Sequence, residues 1–298
     1  MNAPPAAAIE AKRPGFVFLG LGRDCADTLP GFLSLLDQLN AEGLAAFAII
    51  GENGSRDGSR ALLQAAEQAG KVKLVPTEFM SREPDRLRRM ALGRERLKQA
   101  LGMSGLQPRV VCVVDLDNVL ARPPTVASLA GAAAKLDRPG VFGVSATSRP
   151  HYYDLLAFHD ETRGFDTLLA ELAQARGNIL AYHRFFRARI YPHQQALTAD
   201  HEIACTSTFN GLCLYTAERY RMGSYLEDGP SRCEHVAFNL GLADRTGARM
   251  LIDPDLVLAT PDDHRQERFA PFAWRRLKKL LAGIRCRPDP ASLSRPAR

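Results

Sequence analysis

Hydrophobic positions fall in short, nearly unbroken runs that alternate with stretches whose apolar residues recur every three or four places. FVFLG (16–20), AAFAII (45–50), VKLV (72–75), RVVCVVD (109–115) and VFGVS (141–145) have the length and β-rich content of buried strands. Between them, TLPGFLSLLDQLN (28–40) and SRALLQAAEQAG (59–70) carry helical spacing, the second closed by Gly70, and a long basic helix is expected around 84–101. Such alternation predicts a parallel sheet covered by helices on both faces. Ligands of these sheets bind beyond the carboxyl ends of the strands.

Residues 151–205 interrupt the rhythm with five of the seven histidines, many aromatics and a mixed helical stretch at 164–176. Alternation resumes with GLCLY (211–215), a helix expected from Glu234 to Arg245, and strands MLID (250–253) and LVLA (256–259). The pattern predicts one domain over 16–268 with an inserted lobe at 151–205, after a disordered leader at 1–15. In the final segment, 269–298, FAWRRLKKLLAGI (272–284) sets Trp274, Leu277, Leu281 and Ile284 on one helical face beside Arg275, Arg276, Lys278 and Lys279.

Composition narrows the class. With 298 residues, 46% hydrophobic and 24% charged, the chain is ordinary globular protein, and no run of eighteen apolar residues predicts a spanning helix. The leader lacks the order of a signal peptide and the six cysteines form no CxxC pair, so a cytoplasmic, reducing location is expected. The net charge of +6 belongs to the end: 269–298 holds eight Lys/Arg and one Asp, leaving 31 basic against 32 acidic residues before it. That argues against a nucleic-acid groove and for contact of 272–284 with an anionic surface, the inner face of the plasma membrane.

The sharpest chemical signal is VVCVVDLDNVL, an apolar strand running into Asp115 and Asp117. Two carboxylates at the end of a buried strand are costly unless paired, and a hard divalent cation, Mn2+ or Mg2+, suits them because substrate phosphates and water complete its shell. The alternative is that Asp115 caps a helix and Asp117 is solvated. FLGLGRD (18–24) and AIIGENGSRDGS (48–59) end the first two strands and place Gly20, Arg23, Glu52 and Asn53 on the same sheet edge. Glu52 suits ribose hydroxyls or a base N–H; a plain turn is the other reading. Glu234, at a helix start, takes or orients an acceptor hydroxyl proton, or simply complements the helix dipole.

Two enzyme classes place DxD after an apolar strand: GT-A glycosyltransferases and haloacid-dehalogenase-like phosphatases with Asp115 as nucleophile. The phosphatase also requires a lysine after a later strand, and none occurs between Lys135 and Lys278, although Ser145 and Asp262-Asp263 imitate its other motifs. VVDLDN, HYYDLLAFHD (151–160), STFNGLCLY (207–215) and RCEHVAFN (232–239), in that order, resemble the glycosyltransferases related to the fungal capsule-associated α-mannosyltransferases and their bacterial counterparts. The resemblance implies a GT-A, Rossmann-like mixed α/β sheet with helices on both faces and an acceptor-side inserted lobe. It makes Asp115 and Asp117 metal ligands, with His264 or, in competition, His235 as the third. Tyr153 and Asp154 would line the cleft, Gly211 would admit the acceptor, and Arg94, from the arginine-rich run before the DxD strand, would reach the nucleotide. The implied reaction moves a hexosyl group from a nucleoside-diphosphate sugar to a saccharide or lipid-linked saccharide. Glu234 as base implies inversion, whereas the resemblance leans towards retention. A non-catalytic nucleotide-sugar or membrane-binding module remains the third class, because His235 stands where a second acid is expected.

Overall fold

The structure is a computed structural model that describes residues 15–165, 167–198, 200–227 and 232–285. The readings of the leader (1–14) and of 286–298 lie outside the described residues. Strands β1 (Phe16–Gly22), β2 (Ala46–Glu52), β3 (Val72–Pro76), β4 (Val110–Asp115), β5 (Val141–Arg149), β6 (Ile203–Cys205), β7 (Leu212–Thr216) and β8 (Arg249–Ala259) form one sheet in the order β3-β2-β1-β4-β7-β5-β8-β6. β3, β2, β1 and β4 run parallel, as do β5 and β8. β7 lies antiparallel between β4 and β5, and β6 antiparallel on the β8 edge.

The fold class is therefore the expected Rossmann-like mixed α/β sheet with helices on both faces, but the purely parallel sheet that the strand-helix rhythm suggests is corrected by β7. Two further details differ. The expected strands 250–253 and 256–259 are one strand, β8, whose register against β5 jumps from Ala146↔Asp253 to Thr147↔Val257 and so absorbs Pro254. Helices α4 (Val126–Lys135) and α8 (Ala217–Met222) were not anticipated.

Period-2 alternation sorts each strand between two hydrophobic layers. Phe16 and Phe18 of β1 and Val110, Cys112 and Val114 of β4 join α1 (Leu29–Ala41), α2 (Ser59–Gln68) and α4 on one face. Val17, Leu19, Val111 and Val113 meet α3 (Arg86–Met103) and α9 (Glu234–Thr246) on the other. In α1, Leu29, Phe32, Leu36 and Leu39 are all buried, the three-and-four spacing of a core-facing stripe. Asp85 accepts from the Arg88 amide and starts α3.

The helical stretch expected at 164–176 holds α5 (Leu168–Ala175), and among the described residues of 151–205 two further α-helices follow it, α6 (Ile179–Phe185) and, after a π-helical turn at Phe186–Ile190, α7 (Tyr191–Ala196). The last helix, α10 (Phe269–Arg285), docks on α6. Phe272 is buried, with ring centroids 5.0–5.6 Å from His183, Phe186 and Tyr182, and the Arg276 guanidinium lies 4.2 Å over its ring. Trp274 and Leu277 face away from this contact and stay 58% and 45% exposed. The side chains of Leu281 and Ile284 lie outside the described residues.

Candidate active site

Parallel register brings three strand ends into one row: Gly22 stands opposite Glu52, and Leu21 opposite Asp115. Beyond this row lies a cavity of about 260 Å3 whose walls include Gly22, Arg23, Asn53, Arg86, Asp115 and Asp117. A smaller cavity of about 70 Å3 adjoins it, sharing Arg86, Met90 and Asp115, and is closed by Arg94, Asp154, Phe209, Glu234 and His235. Sequence-separated segments therefore converge on Asp115.

Asp115 is tied from two sides. Its amide donates to the Gly211 carbonyl at 2.9 Å, and its Oδ1 accepts from Arg94 Nη2. Arg94 is 1% exposed, and its Nη1 donates to the Val114 carbonyl at 3.2 Å. Burial, with Asp117 and Glu234 adding, raises the Asp115 carboxyl to about 7 against the pull of Arg94. Asp117 Oδ1 accepts from the Val119 amide at 3.1 Å and caps a short helical turn. One of its oxygens thus has a local structural role, while the residue also walls the larger cavity.

The other anticipated residues separate into groups. Arg23 and Asn53 line the larger cavity, but Gly20 lies inside β1, where a Cβ would meet Leu116 at 3.0 Å. Glu52 is buried and engaged: it accepts from the Ser55 amide at 2.6 Å and from Arg60 at 2.5 Å. Burial opposes its ionisation, yet Ser55, Arg60 and Gly54 together hold it below the usual range. It lines a different cavity, with Arg60 and Glu78. The two loops are laced by Asp24, whose amide donates to Ser55 Oγ at 3.0 Å and whose Oδ1 accepts from the Arg56 amide at 2.7 Å.

On the opposite wall, Asn210 organises the 153–154 segment. Its Oδ1 accepts from the amides of Tyr153 and Asp154 at 3.0 and 3.3 Å. Gly211, at φ +87°, leaves room for Tyr153, whose hydroxyl would stand 2.9 Å from a Cβ there. That hydroxyl is buried without a hydrogen-bond partner among the described residues and near Asp115 and Asp117. His264 is exposed, its ring centroid 5.2 Å from that of Tyr153. His235 is buried and stacks on Phe209 at 3.6 Å, with Nε2 3.5 Å from Glu234 Oε1. Burial and Arg94 lower its pKa well below the ordinary value, which leaves the imidazole neutral.

Among the described residues no three His, Cys, Asp or Glu side chains converge as a ready metal cluster, so neither His264 nor His235 is gathered with the Asp pair. Two carboxylates beside an orphaned hydroxyl still fit Mn2+ or Mg2+, whose shell is largely filled by water and substrate phosphates. They do not resemble a closed structural zinc site.

The spacing reading passed over Arg86 and Asn210 as organisers. Arg86 follows the helix cap Asp85, which places it at the end of α3 that faces the cavities; that position was the available signal. No protein-family model and no curated protein matches the chain. Solved structures similar in fold include glucosyl-3-phosphoglycerate synthase from Mycobacterium tuberculosis with Mn2+, UDP and glucosyl-3-phosphoglycerate, at 17% identity over 97% of this chain and 88% of that one, TM-score 0.43. A mannosyltransferase from Pyrobaculum calidifontis with GDP-mannose and Mn2+ matches at 17% over 94% and 66%, TM-score 0.45. Mannosyl-3-phosphoglycerate synthase from Rubrobacter xylanophilus matches at 16% over 91% and 73%, TM-score 0.42.

Proposed function

We propose that the chain is a divalent-metal-dependent GT-A glycosyltransferase that moves a hexosyl group from a nucleoside-diphosphate sugar to a hydroxyl of a saccharide or lipid-linked saccharide. The observation that carries this reading is the placement of Asp115 and Asp117 at the end of β4, on one cavity with Arg23 and Asn53 from the ends of β1 and β2. Asp115 and Asp117 would hold Mn2+ or Mg2+, which when bound neutralises charge on the departing diphosphate. Arg23 and Asn53 meet the nucleotide part of the donor. Arg94 acts by holding Asp115 and not by touching the donor. Glu234, beside the smaller cavity, orients the acceptor hydroxyl.

The ion pair between Arg94 and Asp115 weighs against the phosphatase reading, because a nucleophilic carboxylate held by a fully buried guanidinium is a poor one. A screen of UDP-, GDP- and dTDP-sugars for Mn2+-dependent transfer or hydrolysis tests the transferase. Turnover that persists in EDTA, or a phosphoaspartate trapped on Asp115, rejects it.

The same proposal includes a peripheral membrane contact. Trp274 and Leu277 are exposed on the face of α10 opposite Phe272, and Lys278 lies next to them in sequence. Each cation near an anionic leaflet contributes about 1 kcal/mol. Among the described residues no helix is long and apolar enough to cross a membrane.

A further inference from the structure

Three carboxyl groups line the small cavity behind Asp115, and two are already engaged. Asp115 pairs with Arg94. Glu234 has His235 Nε2 at 3.5 Å from Oε1 and the Cys233 thiol at 3.6 Å from Oε2. Asp154 is different: apart from the backbone amide of Ala157, its carboxyl has no hydrogen-bond or ion-pair partner among the described residues. Its backbone is nevertheless fixed, since Asn210 Oδ1 accepts both its amide and that of Tyr153. A carboxyl held in place by its main chain, and met among the described residues only by the Ala157 amide, is built to meet a ligand.

Resting on the transferase reading above, we infer that Asp154 is the catalytic base that receives the proton of the acceptor hydroxyl. The small cavity meets the donor cavity at Asp115, Arg86 and Met90, so a hydroxyl placed there faces the anomeric carbon of a donor whose diphosphate lies at the Asp pair. In the step, the hydroxyl oxygen forms a bond to the anomeric carbon. The bond from that carbon to the diphosphate oxygen breaks, and its electron pair leaves with the diphosphate. The hydroxyl proton passes to a carboxylate oxygen of Asp154 and is lost to solvent after product departs.

The groups facing the cavity are Arg86 and Arg94 from α3, Asp115 from β4, and Glu234 and His235 from α9, with Phe209 and Cys233. Burial, reinforced by Asp115 and Glu234 and opposed by Arg86, raises the Asp154 carboxyl to about 7. A proton acceptor works best when its pKa lies near the working pH. Neutral His235 brings no competing positive charge.

The test uses the full chain with Mn2+ and, as probes, UDP-glucose and GDP-mannose, following turnover and, separately, UDP and GDP affinity by calorimetry. Asp154→Asn keeps the shape of the side chain and removes the base. Turnover should fall roughly 100- to 10,000-fold with nucleoside-diphosphate affinity retained and the melting temperature not lowered. Asp154→Glu should recover part of the rate. Wild-type turnover in Asp154→Asn, or parallel loss of nucleotide affinity and turnover, overturns the assignment while leaving the transferase standing. A wild-type chain that neither binds UDP or GDP nor consumes either sugar overturns both.

Discussion

Arg94 lies fully buried against Asp115, and its guanidinium carbon stands 5.3 Å over the Phe209 ring. A charge taken so completely out of water is tolerable only while its partner is present, so this pair fixes the position of the first carboxylate of the DxD segment. Arg94→Met should therefore destabilise the chain by roughly 3–5 kcal/mol, read by urea denaturation. Arg94→Lys should recover only part, because an ammonium cannot reproduce the two-pronged contact to Asp115 and Val114. Unchanged stability in Arg94→Met would return Arg94 to the donor.

Asp117 has a lighter structural role, one capping bond to the Val119 amide. Asp117→Ala should cost about 1 kcal/mol of stability yet abolish Mn2+-dependent binding of nucleoside diphosphate, measured by calorimetry with and without EDTA. Retained binding would remove the Asp pair from the metal.

Asp115 and Asp154 are both raised to about 7 from an ordinary carboxyl value near 3.8. Between those limits the folded chain binds more protons than the unfolded chain. Their contribution to stability is therefore present at the acid end of the window and is lost as pH rises through about 7. In metal-free buffer, Asp154→Asn should raise the melting temperature at pH 8 by roughly several degrees relative to wild type and change it little at pH 5. An equal effect at both values would show that burial of the charge at Asp154 is not what destabilises the chain.

The two faces of α10 have different tasks. Phe272→Ala removes a ring from the cluster with Tyr182, His183 and Phe186 and should cost about 3–5 kcal/mol. Trp274→Ser with Leu277→Ser should leave the melting curve unchanged while abolishing co-sedimentation with phosphatidylserine vesicles, which the wild-type chain should show at low salt and lose as salt rises. Vesicle binding that survives the double substitution would remove the apolar face from the membrane contact. Truncation before Phe269 is a poor substitute for these variants, because it also strips the aromatic cluster.

The end of β4 was legible because an apolar run that stops on two carboxylates marks both a strand and the cavity at its end within the eight residues Val110–Asp117. The direction of β7 was not, since LCLYT reads the same whichever way it pairs; 96 residues lie between Asp115 at the end of β4 and Leu212, and only tertiary packing sets its return. Periodicity also failed to single out Arg94 from its neighbours as the one held inside. That choice depends on Asp115 and Phe209, which arrive from remote parts of the chain. Only α5 falls within the helical stretch expected at 164–176; α6 and α7 were not legible because Tyr182, Phe185 and Phe186 follow too closely for a clean stripe, and a π-helical turn shifts the register after them.

The turn at 209–211 has a consequence for how this scaffold can change. Through the Gly211 carbonyl it anchors Asp115, and through the Asn210 amide oxygen it anchors Tyr153 and Asp154. One short loop therefore sets the spacing between the two halves of the cleft. If the chain is the proposed transferase, selection for a new acceptor cannot redesign that loop without disturbing Asp115. On that reading, variation in acceptor choice would enter instead through Leu87, Met90 and Leu156, side chains that line the small cavity without any part in that linkage.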